Sequence, residues 1–142
     1  MPKRILCLDV GDKKIGVAVS DPFGKTAQGI ATFFRGNFSE DCAKILKFIQ
    51  EYNVAKILIG LPLNLESEEG PQAKKVRFFA EGLEKFLREG ERKVEIQLWD
   101  ESFSSKEAEE FLIQASVSRK KRKKAIDQLS AVFILQSYLE SL

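Results

Sequence analysis

The chain contains no histidine. That absence removes Ser-His-Asp and Cys-His nucleophilic schemes, histidine general bases and the usual zinc sites. Cysteine is scarce: Cys7 and Cys42 stand in apolar contexts without metal or redox spacing, and both read as reduced structural thiols. No apolar run approaches the ~18–20 residues needed to span a bilayer. The start MPKRILCLDV passes directly into a strand pattern with no signal peptide, so a cytoplasmic protein without a membrane partner is expected. Repeats, low-complexity segments and long linkers are also missing, which predicts a single domain over 1–142. Catalysis, if any, must rest on carboxylates, lysines, hydroxyls or the backbone. Carboxylates with bound Mg²⁺ or Mn²⁺ become the leading option by elimination.

What is present is a globular composition, 44% apolar and 31% charged, which argues against disorder. Residues 4–10 and 15–21 read as strands joined by a tight Gly-Asp-Lys-Lys turn, with Ile15, Val17 and Val19 on one face. Asp21-Pro22-Phe23-Gly24 is a turn signature, and 26–34 is a third strand. The period then changes. Residues 39–52 take helical spacing (Ile45, Phe48, Ile49, Tyr52) with Ser39 as N-cap. AKILIG at 55–60 is a buried strand, and the polar loop LPLNLESEEGP ends in a proline suited to a first helical position. Residues 72–89 form an amphipathic helix with Val76, Phe79, Leu83 and Leu87 inward, and KVEIQLW at 93–99 alternates as a fifth strand. Ser104-Ser105-Lys106-Glu107 fits a capping box opening a helix to about Ala115, and a last helix covers roughly 119–141. The order βββ-α-β-α-β-α predicts an α/β fold: a mixed five-stranded sheet with helices on both faces. Sites in such sheets form at the carboxyl ends of the parallel strands.

Asp9 interrupts the apolar run of the first strand, where an uncompensated charge would cost several kcal/mol. Asp100 and Glu101 directly follow the fifth strand. Asp127 leads the helical stripe of Ala131, Ile134 and Tyr138, which packs inward. If the first strand is central, these acids converge, and divalent cations would relieve their repulsion. Each also has a plainer reading: Asp9 as a strand terminator ahead of Gly11, Asp127 as a solvent-facing helix acid, Asp100-Glu101 as loop acids. Gly11 and Gly16 complete a D-x-G-x-x-x-x-G pattern that suits a phosphate cradle or simply a hairpin. Asn64, after Gly60-Leu-Pro-Leu, faces a ligand or marks a rigid loop exit. The run SRKKRKK packs Arg119, Lys120, Lys121, Arg122, Lys123 and Lys124 at a helix start, where the dipole disfavours cations. Such runs are commonly solvated, but beside an acidic site this one suits guidance of a nucleic acid, with Lys13 and Lys14 as further phosphate contacts.

LDVGDKKIGVAVSDPFG, ILIGLPLNLESEEGPQAKKVRFFAEGL, WDESFSSKEAE and RKKRKKAIDQLSAVFILQSYLES closely resemble, in order, the motifs of the bacterial YqgF/RuvX family, over nearly the whole chain. The resemblance implies an RNase H-like fold related to the RuvC Holliday junction resolvases, and a cytoplasmic nuclease linked to maturation of the 5′ end of 16S ribosomal RNA. It places the family's acidic positions on Asp9, the Asp100-Glu101 pair and Asp127, with Glu101 the metal-facing member of the pair. Two departures stand out: Ser102 follows Glu101 where the family commonly has arginine, and Asp12 replaces a hydroxyl residue. The expectation is a metal-dependent endonuclease acting on precursor ribosomal RNA, with ribosomal particles as further partners and a monomer or weak dimer as the working state. A resolvase acting on branched DNA is the rival within the same chemistry, and it typically needs a two-fold dimer. A non-catalytic RNA-binding assembly factor keeps the fold without the reaction. An ATPase-like module would need two such domains, and the length leaves room for one.

Overall fold

The computed structural model describes residues 3–62, 69–101 and 119–142, and of Glu101 and residues 119–128 the main chain alone. Its elements are β1 (Arg4–Val10), β2 (Lys14–Ser20), β3 (Ala27–Phe34), α1 (Phe38–Tyr52), β4 (Val54–Pro62), α2 (Pro71–Glu89), β5 (Glu95–Glu101) and α3 (Arg119–Glu140). The strands form one sheet in the order β3-β2-β1-β4-β5. β1 pairs antiparallel with β2 and β2 with β3, while β1–β4 and β4–β5 are parallel. β1 is therefore central, the condition for the acids to converge. The expected helix over 104–115, Asn64 and Ser102 lie outside the described residues.

Strand alternation sorts the core into two layers. Leu6, Leu8, Val10, Ile15, Val17, Val19, Ile57, Ile59 and Leu61 face α1 and α2, which contribute Ile45, Ile49, Val76, Phe79, Leu83 and Leu87. The alternate positions Cys7, Ala18 and Leu58 face α3 through Ala131, Ile134, Leu135, Tyr138 and Leu139. Helices thus cover both faces, and because β1 and β4 are buried from both sides they read as near-continuous apolar runs. Cys7 and Cys42 are buried and unbridged. Burial, then the charge of Asp41, pushes the Cys42 thiol up to about 11.

The punctuation follows local chemistry. Asp21 Oδ1 accepts the N–H groups of Thr26 at 2.9 Å and Lys25 at 2.6 Å, closing the β2–β3 turn. These bonds, Thr26's foremost, hold the carboxyl below its ordinary range. The N-cap of α1 is Asn37, not Ser39: its Oδ1 accepts from Glu40 N at 2.8 Å, and the helix begins at Phe38, one residue before the expected 39–52. Pro71 opens α2 at the first helical position. β5 runs on through Glu101 because its ladder with β4 continues to Pro62↔Glu101, so Asp100 and Glu101 end the strand and do not follow it.

Candidate active site

Asp9 is the penultimate residue of β1, half-buried, and shares the face of Ile5 and Cys7, the one that α3 covers. Its cross-strand partner on β2 is Gly16, and the Leu8↔Ile59 register puts Gly60 of β4 level with it on the other side. The carboxylate therefore stands between two strand positions that carry no side chain. A glycine inside a strand commonly marks close approach by another group. At Gly60 that group is Ile134: a Cβ there would lie 2.7 Å from its Cδ1. The missing side chain lets α3 settle onto the sheet.

The direction of α3 places the remaining acids. Tyr138 receives a hydrogen bond from Lys56 Nζ at 2.8 Å near the start of β4, whereas Ile134 sits on Gly60 near its end. α3 thus runs antiparallel to β4, and its earlier turns lie toward the carboxyl ends of β1, β4 and β5. Position 127 precedes Ile134 by two turns on the same stripe, about 10 Å along the axis. Trp99 packs edge-on against Tyr138, centroids 5.2 Å apart, and Tyr138 donates to Gln97, so 97 and 99 belong to the α3 side of β5. By alternation position 101 belongs there too, two strands across from Asp9 and two residues further along, about 12 Å between main chains. Asp100 takes the opposite side and is exposed. Its charge, after the larger effect of Glu69, helps raise the Arg77 guanidinium of α2.

Positions 9, 101 and 127 are therefore gathered at one edge and on one face, and Asp100 is set apart from them. Among the described residues no three His, Cys, Asp or Glu side chains form a metal-holding group; the side chains of Glu101 and Asp127 are outside that set. The donors offered are carboxylate oxygens alone, chemistry that fits a hard divalent cation such as Mg²⁺ or Mn²⁺. The backbone of Arg119–Lys124 forms the first turns of α3 and leads to this same edge.

Beside Asp9, a cavity of about 220 Å³ is lined by Asp9, Gly11, Asp12, Lys13 and Lys14. Lys13 is exposed in the turn, and Lys14 lies over the Phe34 ring at 5.2 Å. Asp12 is paired with Lys75 of α2 at 3.3 Å, so its added charge is met by a cation. One support was not evident in the sequence. Arg35 donates to the Gly11 carbonyl at 2.9 Å and to the buried Asp41 at 3.3 Å, while Arg35 N donates to Lys13 O at 2.8 Å. This strut fixes the turn that follows Asp9. Its sequence signal was an acid in the first turn of α1 soon after the arginine that follows β3.

The RuvX family model, described as a Holliday junction resolvase, matches residues 3–141. A Caldanaerobacter subterraneus subsp. tengcongensis protein named "Putative pre-16S rRNA nuclease" is 48% identical over 97% of this chain and 96% of its own length. A Clostridium tetani protein of the same name is 46% identical over 97% and 96%. Among solved structures, T. thermophilus RuvC in complex with Holliday junction substrate superposes with a TM-score of 0.61 at 12% identity, covering 98% of this chain and 94% of that one. Fowlpox virus resolvase with substrate Holliday junction DNA gives 0.54 at 16% identity, covering 97% of both. At those identities the likeness shows the fold, which is RuvC-like and hence RNase H-like.

Proposed function

This chain belongs to the RuvX family, and from that premise we propose that it is a metal-dependent endonuclease that matures the 5′ end of precursor 16S ribosomal RNA. The observation that carries the reading is the gathering of positions 9, 101 and 127 on one face at the carboxyl edge of the parallel strands. Asp9, Glu101 and Asp127 hold Mg²⁺ or Mn²⁺; Asp100, on the other side of β5, is left to the Arg77 side of the strand end. Bound there, such cations supply an activated water and charge stabilisation for the leaving oxygen. The chain itself binds and aligns the polyanion. Lys13 and Lys14 meet phosphates beside Asp9, Asn64 supplies a further contact to the nucleic acid, and Arg119–Lys124 draw the strand in. The working unit is one domain in the cytoplasm, a monomer or weak dimer that meets its substrate on ribosomal particles. No helix among the described residues is long and apolar enough to cross a membrane.

The test sets labelled precursor 16S RNA beside a four-way DNA junction, each with Mg²⁺, Mn²⁺ or EDTA, for wild type and Asp9→Asn. RNA cleavage that needs metal and falls to background in Asp9→Asn is expected. The variant should melt no lower than wild type without metal, because removing one of several facing charges relieves repulsion. Cutting confined to the junction would assign the resolvase activity instead. Binding without cleavage under every condition would leave an assembly factor.

A further inference from the structure

Phe78 on α2 is 80% exposed, and Phe38 at the start of α1 is 42% exposed, although α2 buries a full apolar face elsewhere. The two rings border a cleft of about 470 Å³ lined by Arg35, Phe38, Lys74, Lys75, Phe78 and Phe79. Three aromatics meet three cations there, and among the described residues no carboxylate lines it. Its floor is ordered: Phe38 packs edge-on against Phe79 at 5.6 Å, and the Arg35 guanidinium lies 5.1 Å above the Phe79 ring. Lys74 and Lys75 stand just past the first turn of α2, which holds no acidic residue. The helix dipole disfavours cations at that end and favours anions. Two side chains link the cleft to the turn after Asp9: Lys75 bridges to Asp12, and Arg35 holds the Gly11 carbonyl.

We propose that this cleft between α1 and α2 is a docking groove for an unpaired stretch of the RNA substrate: a base stacks on Phe78 while Lys74 and Lys75 take its phosphates. The proposal rests on the nuclease reading and adds the form of substrate that reading requires, a single strand flanking the cut bond. Aromatic rings interleaved with cations match a chain of π-faces joined by phosphates. A duplex hides its base faces in the stack and offers nothing to an exposed phenylalanine. A second copy of the chain fits poorly, since a two-fold contact centred on Phe78 would gather both copies of Lys74, Lys75 and Arg35 into one interface. An exchange of Lys75 from Asp12 to a phosphate would tie groove occupancy to the charge beside Asp9.

The test measures anisotropy of a short fluorescein-labelled, unstructured RNA in EDTA, so that no cleavage intervenes. Phe78→Ala should raise Kd about 5- to 100-fold, Phe78→Trp should restore binding, and affinity for a duplex of the same sequence should not move. Lys74→Gln with Lys75→Gln should flatten the salt slope by about 1.4. Melting temperatures should stay level, because Phe78 supports little packing. Wild-type affinity in Phe78→Ala overturns the proposal, as does a chain whose self-association is what Phe78→Ala abolishes. Parallel cleavage assays separate the two readings. RNA cutting with unchanged Phe78→Ala binding removes the groove alone. Stacking-dependent binding without cutting under any metal removes the nuclease and leaves the groove.

Discussion

Asp41 is the carboxylate that the described residues bury completely, and its partners decide its effect. One oxygen takes the Arg35 Nε–H and the other the Gly36 N–H at 3.0 Å, while Arg35 uses a further N–H to hold Gly11. Removing the acid strands a partly buried guanidinium and loosens the turn after Asp9. Asp41→Ala should cost about 2–4 kcal/mol in urea unfolding and should lower cleavage although the side chain never meets substrate. Asp41→Asn, which can still accept from Gly36, should fall between the two. Unaltered stability in Asp41→Ala would deny the strut. Asp9 was readable in the sequence because a charge inside an apolar run demands an explanation; Asp41 was not, since an acid in the first turn of a helix is ordinarily a surface residue. Phe78 was passed over for a similar reason: an apolar residue next to Phe79 on an amphipathic helix draws attention only once its exposure is known.

Between elements, the contact that most directly positions the edge is Ile134 of α3 on Gly60 of β4. A methyl group at Gly60 meets Cδ1 at 2.7 Å and Cγ1 at 3.5 Å, so the helix must lift or Ile134 must turn. Gly60→Ala should destabilise by about 1–3 kcal/mol and reduce cleavage, because lifting α3 carries position 127 away from Asp9. Ile134→Val removes the crowding atom, so the double variant should be more stable than the sum of the single costs in a denaturation cycle. Strict additivity would mean that the two positions are not in contact. Element types were legible through the switch from period two to period 3.6, and the inward stripes of α1, α2 and α3 were read correctly. Ends were less so. Asn37 caps α1 in place of the expected Ser39, and the last two residues of β5 are acids, which strand propensity disfavours; the ladder with β4 keeps them extended. That extension also puts positions 100 and 101 on opposite faces of the sheet.

Across the whole molecule a net charge of +2 conceals strong segregation: Glu-rich residues 81–110 against six cations in the first two turns of α3. Element order predicted a mixed sheet, but the central place of β1 stood there only as a condition and rests on its pairing with both β2 and β4. The placement of the basic run was not legible in that order, because it depends on α3 lying antiparallel to β4, a relation fixed by the distant contacts of Tyr138 and Ile134. Cations at a helix N-terminus oppose the dipole, each by about 0.3–1 kcal/mol, and they also repel one another. Stability and binding should therefore respond in opposite senses when they are removed. Replacing Lys120, Lys121, Lys123 and Lys124 by glutamine should raise the melting temperature while weakening RNA binding. It should also flatten the plot of log affinity against log salt by as much as about 3 if all four lysines meet phosphates of a single strand. An unchanged slope with the same thermal gain would mean that the run is a solvated face and that the strand enters by Lys13, Lys14 and the groove of Phe78 instead.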